Sequence, residues 1–326
     1  MDFLALLGYL IGLAVVAVII LCAVLYWMSE TYPSIASHKS EDFFNDPSSG
    51  KKLPFPSITD KPSKSLTVVV PAYNEEKRLP LMLEESLTYL EERAQKDNAF
   101  TYEMIIVDDG SKDKTTEVAM GYTNKFGCDK VRILTLAWNR GKGGAVRMGM
   151  FRARGKLLLF ADADGATTFP EYGRVEASLR NRCKEESEVS EALVVSCGSR
   201  AHLEEESVAS RSVFRTVLMY GFHALVWVFA VRGVRDTQCG FKLLTRRAGR
   251  ILFNSLHVER WAFDVEMLYL AQSLGITIDE VAVEWNEIEG TKMTPVLSWL
   301  EMGLDLFTIW LRYTLGAWRI RGDMKK

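Results

Sequence analysis

Three acidic clusters follow short apolar runs in this 326-residue chain, each where a run gives way to a turn. The clusters lie in PAYNEE (71–76), VDDGS (107–111) and FADADGAT (160–167). A carboxylate at the end of a strand can accept hydrogen bonds from a nucleobase or a ribose, and the N-terminus of a following helix favours anions. Turn and helix-cap chemistry is the alternative for either of the first two clusters alone. Two clusters in matching positions favour a nucleotide site.

The third cluster contains two carboxylates, Asp162 and Asp164, separated by one residue. Mg²⁺ and Mn²⁺ prefer hard oxygen ligands that they share with substrate phosphates, so the pair predicts a site for one of these cations. A cation there would neutralise charge that develops on a departing diphosphate. An isolated Asp-x-Asp is common. Its position after the fourth predicted strand, downstream of a glycine-lysine loop, is what favours a metal.

A basic, glycine-rich loop with the sequence NRGKGGAVR (139–147) lies between the second and third clusters. Such a loop at the start of a helix suits a diphosphate, because backbone amides and cationic side chains both attract anions. The Gly-Lys-Ser/Thr spacing of a P-loop is missing, and so is the third glycine of the dinucleotide-binding fingerprint. A flexible turn is the alternative interpretation.

Further charged motifs occur in the second half of the chain. Arginine binds phosphate through two parallel hydrogen bonds, so Arg200, which follows an apolar strand at the edge of the predicted site, is a candidate for a second phosphate. A solvated surface position is the alternative for Arg211 and Arg215. The remaining motifs are DTQCGFK (236–242), FDVE (263–266) and GTK (290–292).

Apolar runs alternate with amphipathic segments from residue 66 onward, which indicates how the motifs come together. We predict strands over 66–70, 104–107, 131–136, 157–160 and 193–196, and helices over 79–94, 115–126, 144–153 and 172–181. This order predicts an α/β fold with a mainly parallel sheet and helices on both faces. Ligands bind such sheets at the carboxyl ends of the strands, where the motifs lie.

The N-terminal segment is apolar from Phe3 to Met28, without a charged residue. About 20 such residues suffice to cross a bilayer, whereas a cleaved signal peptide has a basic start and a shorter apolar core. Lysines follow the run, so the positive-inside rule places the rest of the chain in the cytoplasm. We expect a transmembrane anchor (1–30), a linker (31–64), a catalytic domain (65–295) and a C-terminal membrane-associated helical segment (296–326).

Two further apolar segments are candidates for contact with the membrane. Residues 213–231 are interrupted by polar side chains, which favours a helix lying in the membrane interface over a second span. Residues 296–320 carry tryptophans and arginines suited to lipid headgroups, with ordinary core packing as the alternative. The lipid bilayer is therefore a predicted partner.

Charge and cysteine content exclude other classes. A net charge of -2 argues against a nucleic-acid binder, which usually carries a basic excess. The five cysteines are scattered without CxxC spacing, which favours a reducing compartment over a disulfide framework or structural zinc.

Taken in order, PAYNEE, VDDGS, NRGKGG, DADGAT, GSR, DTQCGFK and FDVE resemble the motifs of family 2 glycosyltransferases, over roughly residues 66–295. The resemblance implies the GT-A nucleotide-diphospho-sugar transferase fold and an inverting enzyme. Its implied reaction moves glucose from UDP-glucose to dolichyl phosphate, giving dolichyl β-D-glucosyl phosphate and UDP. The implied setting is the cytosolic face of the endoplasmic reticulum membrane, for lipid-linked oligosaccharide assembly in protein N-glycosylation.

The resemblance also implies roles for individual residues. Arg200, with Arg211 or Arg215, would hold the acceptor phosphate, and Lys292 would lie on a loop that closes over the donor. Ala166 stands where related mannosyltransferases often carry a glutamine that binds metal, which reduces the ligand set and makes a mannosyl donor less favoured. The implied donor site comprises Ala72, Tyr73, Glu75, Asp108, Asp109, Lys142, Gly143, Arg147, Asp162, Ala163, Asp164 and Lys292, with Asp162 and Asp164 also the metal ligands.

The implied acceptor needs little general-base help, because a phosphate monoester with a second pKa near ~6 is mostly dianionic at neutral pH. Asp236 is our first candidate for orienting the acceptor or acting as a weak base, and Asp264 the second. Asp164 completes the candidate catalytic set. The alternatives are a mannosyl- or other hexosyltransferase acting on dolichyl or another polyprenyl phosphate, and a membrane scaffold with an inactive GT-A fold.

Overall fold

The computed structural model describes residues 3–183, 185, 188–203, 221, 225–226, 231–288 and 295–321. The predicted α/β class is confirmed, and every predicted strand and helix from residue 66 to residue 196 is present. The helices are α1 (Phe3–Met28), α2 (Leu79–Lys96), α3 (Thr115–Phe126), α4 (Lys142–Met150), α5 (Tyr172–Asn181), α6 (Arg246–Ser255), α7 (Phe263–Ser273) and α8 (Pro295–Thr314). The strands are β1 (Phe43–Asp46), β2 (Lys51–Pro54), β3 (Lys64–Ala72), β4 (Tyr102–Asp108), β5 (Val131–Thr135), β6 (Gly155–Ala161), β7 (Val194–Ser199), β8 (Phe241–Thr245) and β9 (Thr277–Ala282).

The main sheet has the strand order β5-β4-β3-β6-β8-β7-β9 among the described residues. Strand β8 is antiparallel to both of its neighbours, and the other pairs are parallel. The carboxyl ends of β3, β4, β5 and β6 therefore meet at one edge of the sheet. The predicted motifs are brought together at this edge.

Helices cover both faces of the sheet, as the unbroken apolar runs predict. Along β3, Val69 belongs to one core with side chains from α4, α6 and α7, while Val68 and Val70 belong to the other core with α2, α3 and α5. Successive side chains of a strand point to opposite faces, so a strand buried on both sides must be apolar at every position.

The segment from residue 31 to 64 differs from the expected linker, because much of it packs on the catalytic domain. A 3₁₀ turn at Lys39–Asp42 leads into the β1–β2 hairpin. The Phe44 and Phe55 rings lie 5.0 Å apart, and the Arg132 guanidinium lies over both. The few apolar residues are scattered among lysines and prolines, so they give no periodic signal in the sequence.

Helix α1 contains a stretch, Ala5–Met28, that is long and apolar enough to cross a membrane. None of its most apolar part is buried against the protein, in agreement with the predicted anchor. The predicted interface helix over 213–231 lies mostly outside the described residues. In α8, Leu306 and Ile309 are buried while Leu304 and Phe307 are exposed, so core packing accounts for one side of this helix.

Candidate active site

A cavity of about 620 Å³ opens at the carboxyl edge of the sheet. It is bounded by the loops after β3, β4 and β6, by the start of α4 and by the end of β7. Ten of the predicted site residues line it, namely Ala72, Tyr73, Glu75, Asp109, Lys142, Asp162, Ala163, Asp164, Arg200 and Asp264.

Asp109 joins the loop after β4 to the glycine-rich loop. Its Oδ1 accepts a hydrogen bond from the Arg140 backbone N–H at 2.7 Å, and its Oδ2 accepts one from the Gly141 N–H at 2.9 Å. Burial raises the pKa of Asp109 to about 6, although these two N–H groups favour the ionised form. The carboxylate therefore fixes the entry to α4, where Lys142 begins the helix.

Asn74 joins the loop after β3 to the loop after β4. Its backbone N–H donates to Ser111 Oγ at 2.9 Å, and its Oδ1 accepts from the Lys112 N–H at 2.8 Å. Asn74 has a φ of 54°, in the left-handed region that asparagine tolerates better than most residues. The two acidic loops are thus one unit.

Arg78 lies between two of the predicted carboxylates and was missed by the sequence analysis. It donates to both oxygens of Glu75, at 2.7 Å from Nε and 2.5 Å from Nη2, and its Nη1 lies 3.7 Å from Asp164 Oδ2. Arg78 lies just before α2 and belongs to none of the motifs, so no local pattern indicated its role.

Lys142 lies next to the Asp162–Asp164 pair in the cavity lining. Lys142 Nζ lies 2.7 Å from Asp162 Oδ1. Burial alone would lower the pKa of Lys142, but Asp162 and Asp264 outweigh it and the pKa is raised. Gly240 packs directly behind Asp162, because a Cβ at that position would stand 1.9 Å from Asp162 Oδ2. The ammonium of Lys142 and the carboxylate of Asp162 are therefore both fixed in place where the sequence predicts a diphosphate.

The carboxylates of Asp162 and Asp164 fit a divalent cation in chemical type, as hard oxygen donors next to a predicted diphosphate site. Burial, followed by the charge of Asp162, raises the pKa of Asp164, and a bound cation would favour its ionised form. Across the described ranges no group of three or more His, Cys, Asp and Glu side chains could hold a metal. The protein ligands that fit are thus these two carboxylates, with Ala166 contributing no side-chain oxygen.

Asp264 lines the cavity at the start of α7, above a buried lysine. Lys242 Nζ donates to Asp264 Oδ1 and to the Cys239 carbonyl oxygen, both at 2.6 Å. Burial raises the pKa of Asp264, and Lys242 opposes that shift. A carboxylate held in this way is positioned at the site without being exposed to bulk water.

Arg200 also lines the cavity, just after β7, and Asp236 holds it. Asp236 accepts three hydrogen bonds from Arg200, from the backbone N–H at 2.8 Å, from Nε at 2.7 Å and from Nη2 at 2.9 Å. Burial would raise the pKa of Asp236, but Arg200 outweighs it and the pKa is lowered. Asp236 does not line the cavity formed by the described residues, so the structure places it behind Arg200.

Three predicted donor residues also lie away from the cavity lining. Asp108 caps the turn after β4, accepting hydrogen bonds from the Ser111 N–H and the Thr116 hydroxyl. Gly143 packs under Phe263, whose Cβ would stand 2.5 Å from a Cβ on the glycine. Arg147 is buried, with Nη2 at 3.1 Å from Glu259 Oε1. These residues support the loops that line the cavity.

Arg211, Arg215 and Lys292 lie outside the described residues, so their predicted roles stay predictions. Besides Arg78, the sequence analysis missed two cavity-lining tryptophans. Trp261 lies 5.9 Å from Lys142 Nζ, and Trp285 lies 5.5 Å from the Arg200 guanidinium carbon, measured to the ring centres. Trp261 could have been found from the sequence, because it lies two residues before the FDVE motif. Trp285 lies next to none of the motifs.

Comparison with known proteins gives matches over the same region and beyond it. The sequence model described as "Glycosyl transferase family 2" matches residues 67–180. The dolichyl-phosphate beta-glucosyltransferase of Drosophila melanogaster is 56% identical over 318 residues, covering 98% of this chain and 96% of the relative. The enzyme of the same name from Homo sapiens is 55% identical over 314 residues, covering 96% of this chain and 95% of the relative.

Among solved structures, a similar fold occurs in glucosyl-3-phosphoglycerate synthase from Mycobacterium tuberculosis in complex with Mn²⁺, UDP-glucose and phosphoglyceric acid. The TM-score is 0.50 at 17% sequence identity, and the match covers 80% of this chain and 82% of that one. At this identity the likeness concerns the fold, which agrees with the expected GT-A architecture.

Proposed function

The chain belongs to the dolichyl-phosphate beta-glucosyltransferases, a family of glycosyltransferases, and on that premise we propose that its donor is UDP-glucose and its acceptor dolichyl phosphate. The observation that carries this proposal is one cavity lined by cations from different elements of the fold. Lys142 begins α4, and Arg200 follows β7. Two phosphate-bearing substrates need separate cationic groups.

On the donor side, the chain binds and orients the diphosphate. Lys142 begins α4 and lines the cavity, so its positive charge adds to that of the helix N-terminus. Asp109 and Glu75, which line the same cavity, would accept further hydrogen bonds from the uridine. Asp162 and Asp164 would hold Mg²⁺ or Mn²⁺, which supplies neutralisation of charge on the leaving UDP. The Mn²⁺ and UDP-glucose bound to the mycobacterial enzyme support this choice of cation and donor.

On the acceptor side, Arg200 holds the phosphate of dolichyl phosphate. A phosphate oxygen attacks the anomeric carbon, the bond from that carbon to the UDP oxygen breaks with its electron pair on UDP, and the configuration inverts. Because the acceptor is already mostly dianionic, no proton has to be removed first. We therefore assign Asp236 to positioning Arg200. Asp264 remains the candidate for contacting the acceptor, with Lys242 fixing its carboxylate.

The proposed setting is the endoplasmic reticulum membrane, crossed once by α1, with the catalytic domain in the cytosol. The apolar helix and the lysines that follow it support this orientation. The product, dolichyl β-D-glucosyl phosphate, would serve lipid-linked oligosaccharide assembly in protein N-glycosylation. Protease added to sealed microsomes should remove the catalytic domain. A fully protected domain would contradict the orientation.

The reaction is tested by incubating the full-length protein in membranes with dolichyl phosphate and radiolabelled UDP-glucose, UDP-N-acetylglucosamine or GDP-mannose. We expect label in organic-extractable lipid from UDP-glucose alone. Label from GDP-mannose would move the assignment to a mannosyltransferase. An absence of label from every donor, in folded membrane-bound protein, would favour the inactive scaffold.

A further inference from the structure

The chain between α1 and β1 runs along the back of the glycine-rich loop. Along this juxtamembrane segment (residues 31–42), four backbone carbonyl oxygens accept hydrogen bonds from the catalytic domain and the C-terminal segment. The bonds run from the Arg319 N–H to Thr31 at 3.0 Å, from Arg321 Nη2 to Pro33 at 3.1 Å, from Arg147 Nη1 to Ser34 at 3.5 Å and from Arg140 Nη2 to Ala36 at 2.7 Å. Two of these arginines, Arg140 and Arg147, belong to the glycine-rich motif itself.

Glu41 is the charged centre of this contact and is fully buried. Its Oε1 accepts a hydrogen bond from the Ala137 N–H at 2.9 Å, and its Oε2 lies 3.3 Å from Arg140 Nη2. The Glu41 carbonyl oxygen accepts from Arg152 Nε at 2.9 Å. One buried carboxylate therefore holds both the start and the middle of the loop that leads to Lys142.

The same loop is held from the other side by Asp109. The Arg140 backbone N–H donates to Asp109, while the Arg140 guanidinium contacts Glu41 and lies 4.5 Å from the centre of the Trp138 ring. Arg140 is thus fixed at both its backbone and its side chain. Gly141 and Lys142, which line the cavity, follow directly.

We propose that Glu41 is a positioning residue for the donor diphosphate, acting through Arg140 on the Ala137–Lys142 loop. The inference rests on the proposed function, since it takes that loop as the diphosphate site. Charge-assisted hydrogen bonds inside a protein are stronger than neutral ones. Removing the charge of Glu41 while keeping the shape of its side chain should therefore weaken the contacts that hold the loop, while every cavity-lining residue stays in the chain. Arg200 and Asp236 are not contacted by this segment in the described residues, so the acceptor side is left unchanged.

The test compares Glu41→Gln with Asp46→Asn in the full-length protein. Asp46 is a matched control because it is also acidic and buried, and lies in the neighbouring β1–β2 hairpin. Its carboxylate accepts from Ser48 and Ser49 within the hairpin turn. The measurements are the Kd of UDP by calorimetry, the KM of UDP-glucose, the KM of dolichyl phosphate and the melting temperature.

We expect Glu41→Gln to weaken UDP binding and raise the donor KM about 10-fold, a change worth about 1.4 kcal/mol, with the acceptor KM unchanged. Asp46→Asn should leave both KM values at the wild-type level. A lowered melting temperature with unchanged UDP affinity would overturn the inference, as would an equal effect of Asp46→Asn. If Glu41→Gln does not fold, Arg140→Lys should shift the donor KM in the same direction, and an unchanged donor KM would overturn the inference.

Failure of the proposed function has a different signature. Wild-type protein would then bind no UDP in the same titration, or would transfer no label from UDP-glucose to organic-extractable lipid. Wild-type binding with no difference in Glu41→Gln would reject only the role of Glu41.

Discussion

The two halves of the sheet hold their functional side chains in different ways. In the half made of β3, β4, β5 and β6, the loops are joined through backbone groups, as in the two N–H donors on Asp109 and the Asn74–Lys112 bond. In the half made of β7, β8 and β9, the half-buried Arg200 is held mainly through Asp236, and Lys242 of β8 holds Asp264. The loops of the proposed donor half are therefore joined through backbone groups, whereas the proposed acceptor half depends on side-chain ion pairs.

This difference predicts separable defects. Substitutions in the donor half should affect donor binding or the leaving diphosphate, because the loops there form one connected unit. Substitutions in the acceptor half should alter use of dolichyl phosphate while leaving the donor half intact. Each of the following predictions tests that separation.

The largest effect is expected for Asp164→Ala. It removes one of the two carboxylates that fit the cation, so stabilisation of charge on the leaving UDP is lost, and kcat should fall by roughly 10²–10³-fold. Asp236→Ala should cost less, since base catalysis is unimportant for a dianionic acceptor. Transfer assays with UDP binding measured in parallel check the order, and comparable losses with donor binding intact in both variants would refute it.

Arg200→Ala should raise the KM of dolichyl phosphate by roughly 10–100-fold, because a cation positioned for the acceptor phosphate is removed. UDP affinity should stay at the wild-type value. Arg200→Lys is the control that keeps the charge but loses the bidentate hydrogen-bonding geometry. Its KM for dolichyl phosphate should rise less than that of Arg200→Ala. Loss of UDP binding in Arg200→Ala would break the separation between the two halves.

Donor affinity should fall as the pH is lowered through about 6, because the buried Asp109 carboxyl has a pKa raised to about 6. Above that pH the ionised group accepts from two backbone N–H groups. Below it, the added proton faces an N–H donor and the loop loses a hydrogen bond. UDP titrates in the same range, so Asp109→Asn is the control. Subtracting its pH profile from that of the wild type should leave a step near pH 6, and identical profiles would contradict this assignment.

The smallest effect is expected for Trp261→Leu. The indole lies near Lys142 at the cavity and is partly exposed, so its loss removes a cation–π contact worth about 0.5–1 kcal/mol. The KM of UDP-glucose should rise about 2- to 5-fold, with kcat nearly unchanged. A larger change in the KM of dolichyl phosphate than in the donor KM would move this tryptophan to the acceptor half.

The strands and the lining motifs were predictable because a sheet buried on both faces requires unbroken apolar runs. Their carboxyl ends could be located from those runs alone. Arg147 was assigned to the cavity on its motif, but the helix begins at Lys142. Five residues further along an α-helix, the side chain lies about 140° around the axis from that of Lys142. It therefore faces Glu259 and the juxtamembrane segment.

Other contacts carried no local signal. Arg200 and Asp236 are 36 residues apart in sequence, and no periodic pattern links an arginine to its distant carboxylate. Glu41 lies in a polar, proline-containing stretch that resembles a linker, and its burial against Ala137 and Arg140 is a contact between distant residues that no local pattern indicates. Arg78 also lacked a local signal, because its contact with the distant Asp164 exists only once the loops after β3 and β6 have folded together.

Gly240 has a consequence for inheritance. Any other residue there would bring a carbon atom against the Asp162 carboxylate, and Gly240 itself contributes no side chain to the core on either face of the sheet. A missense allele at this position should therefore give cells a normal amount of protein and none of its product. Protein abundance would not reveal such an allele, but the lipid product would.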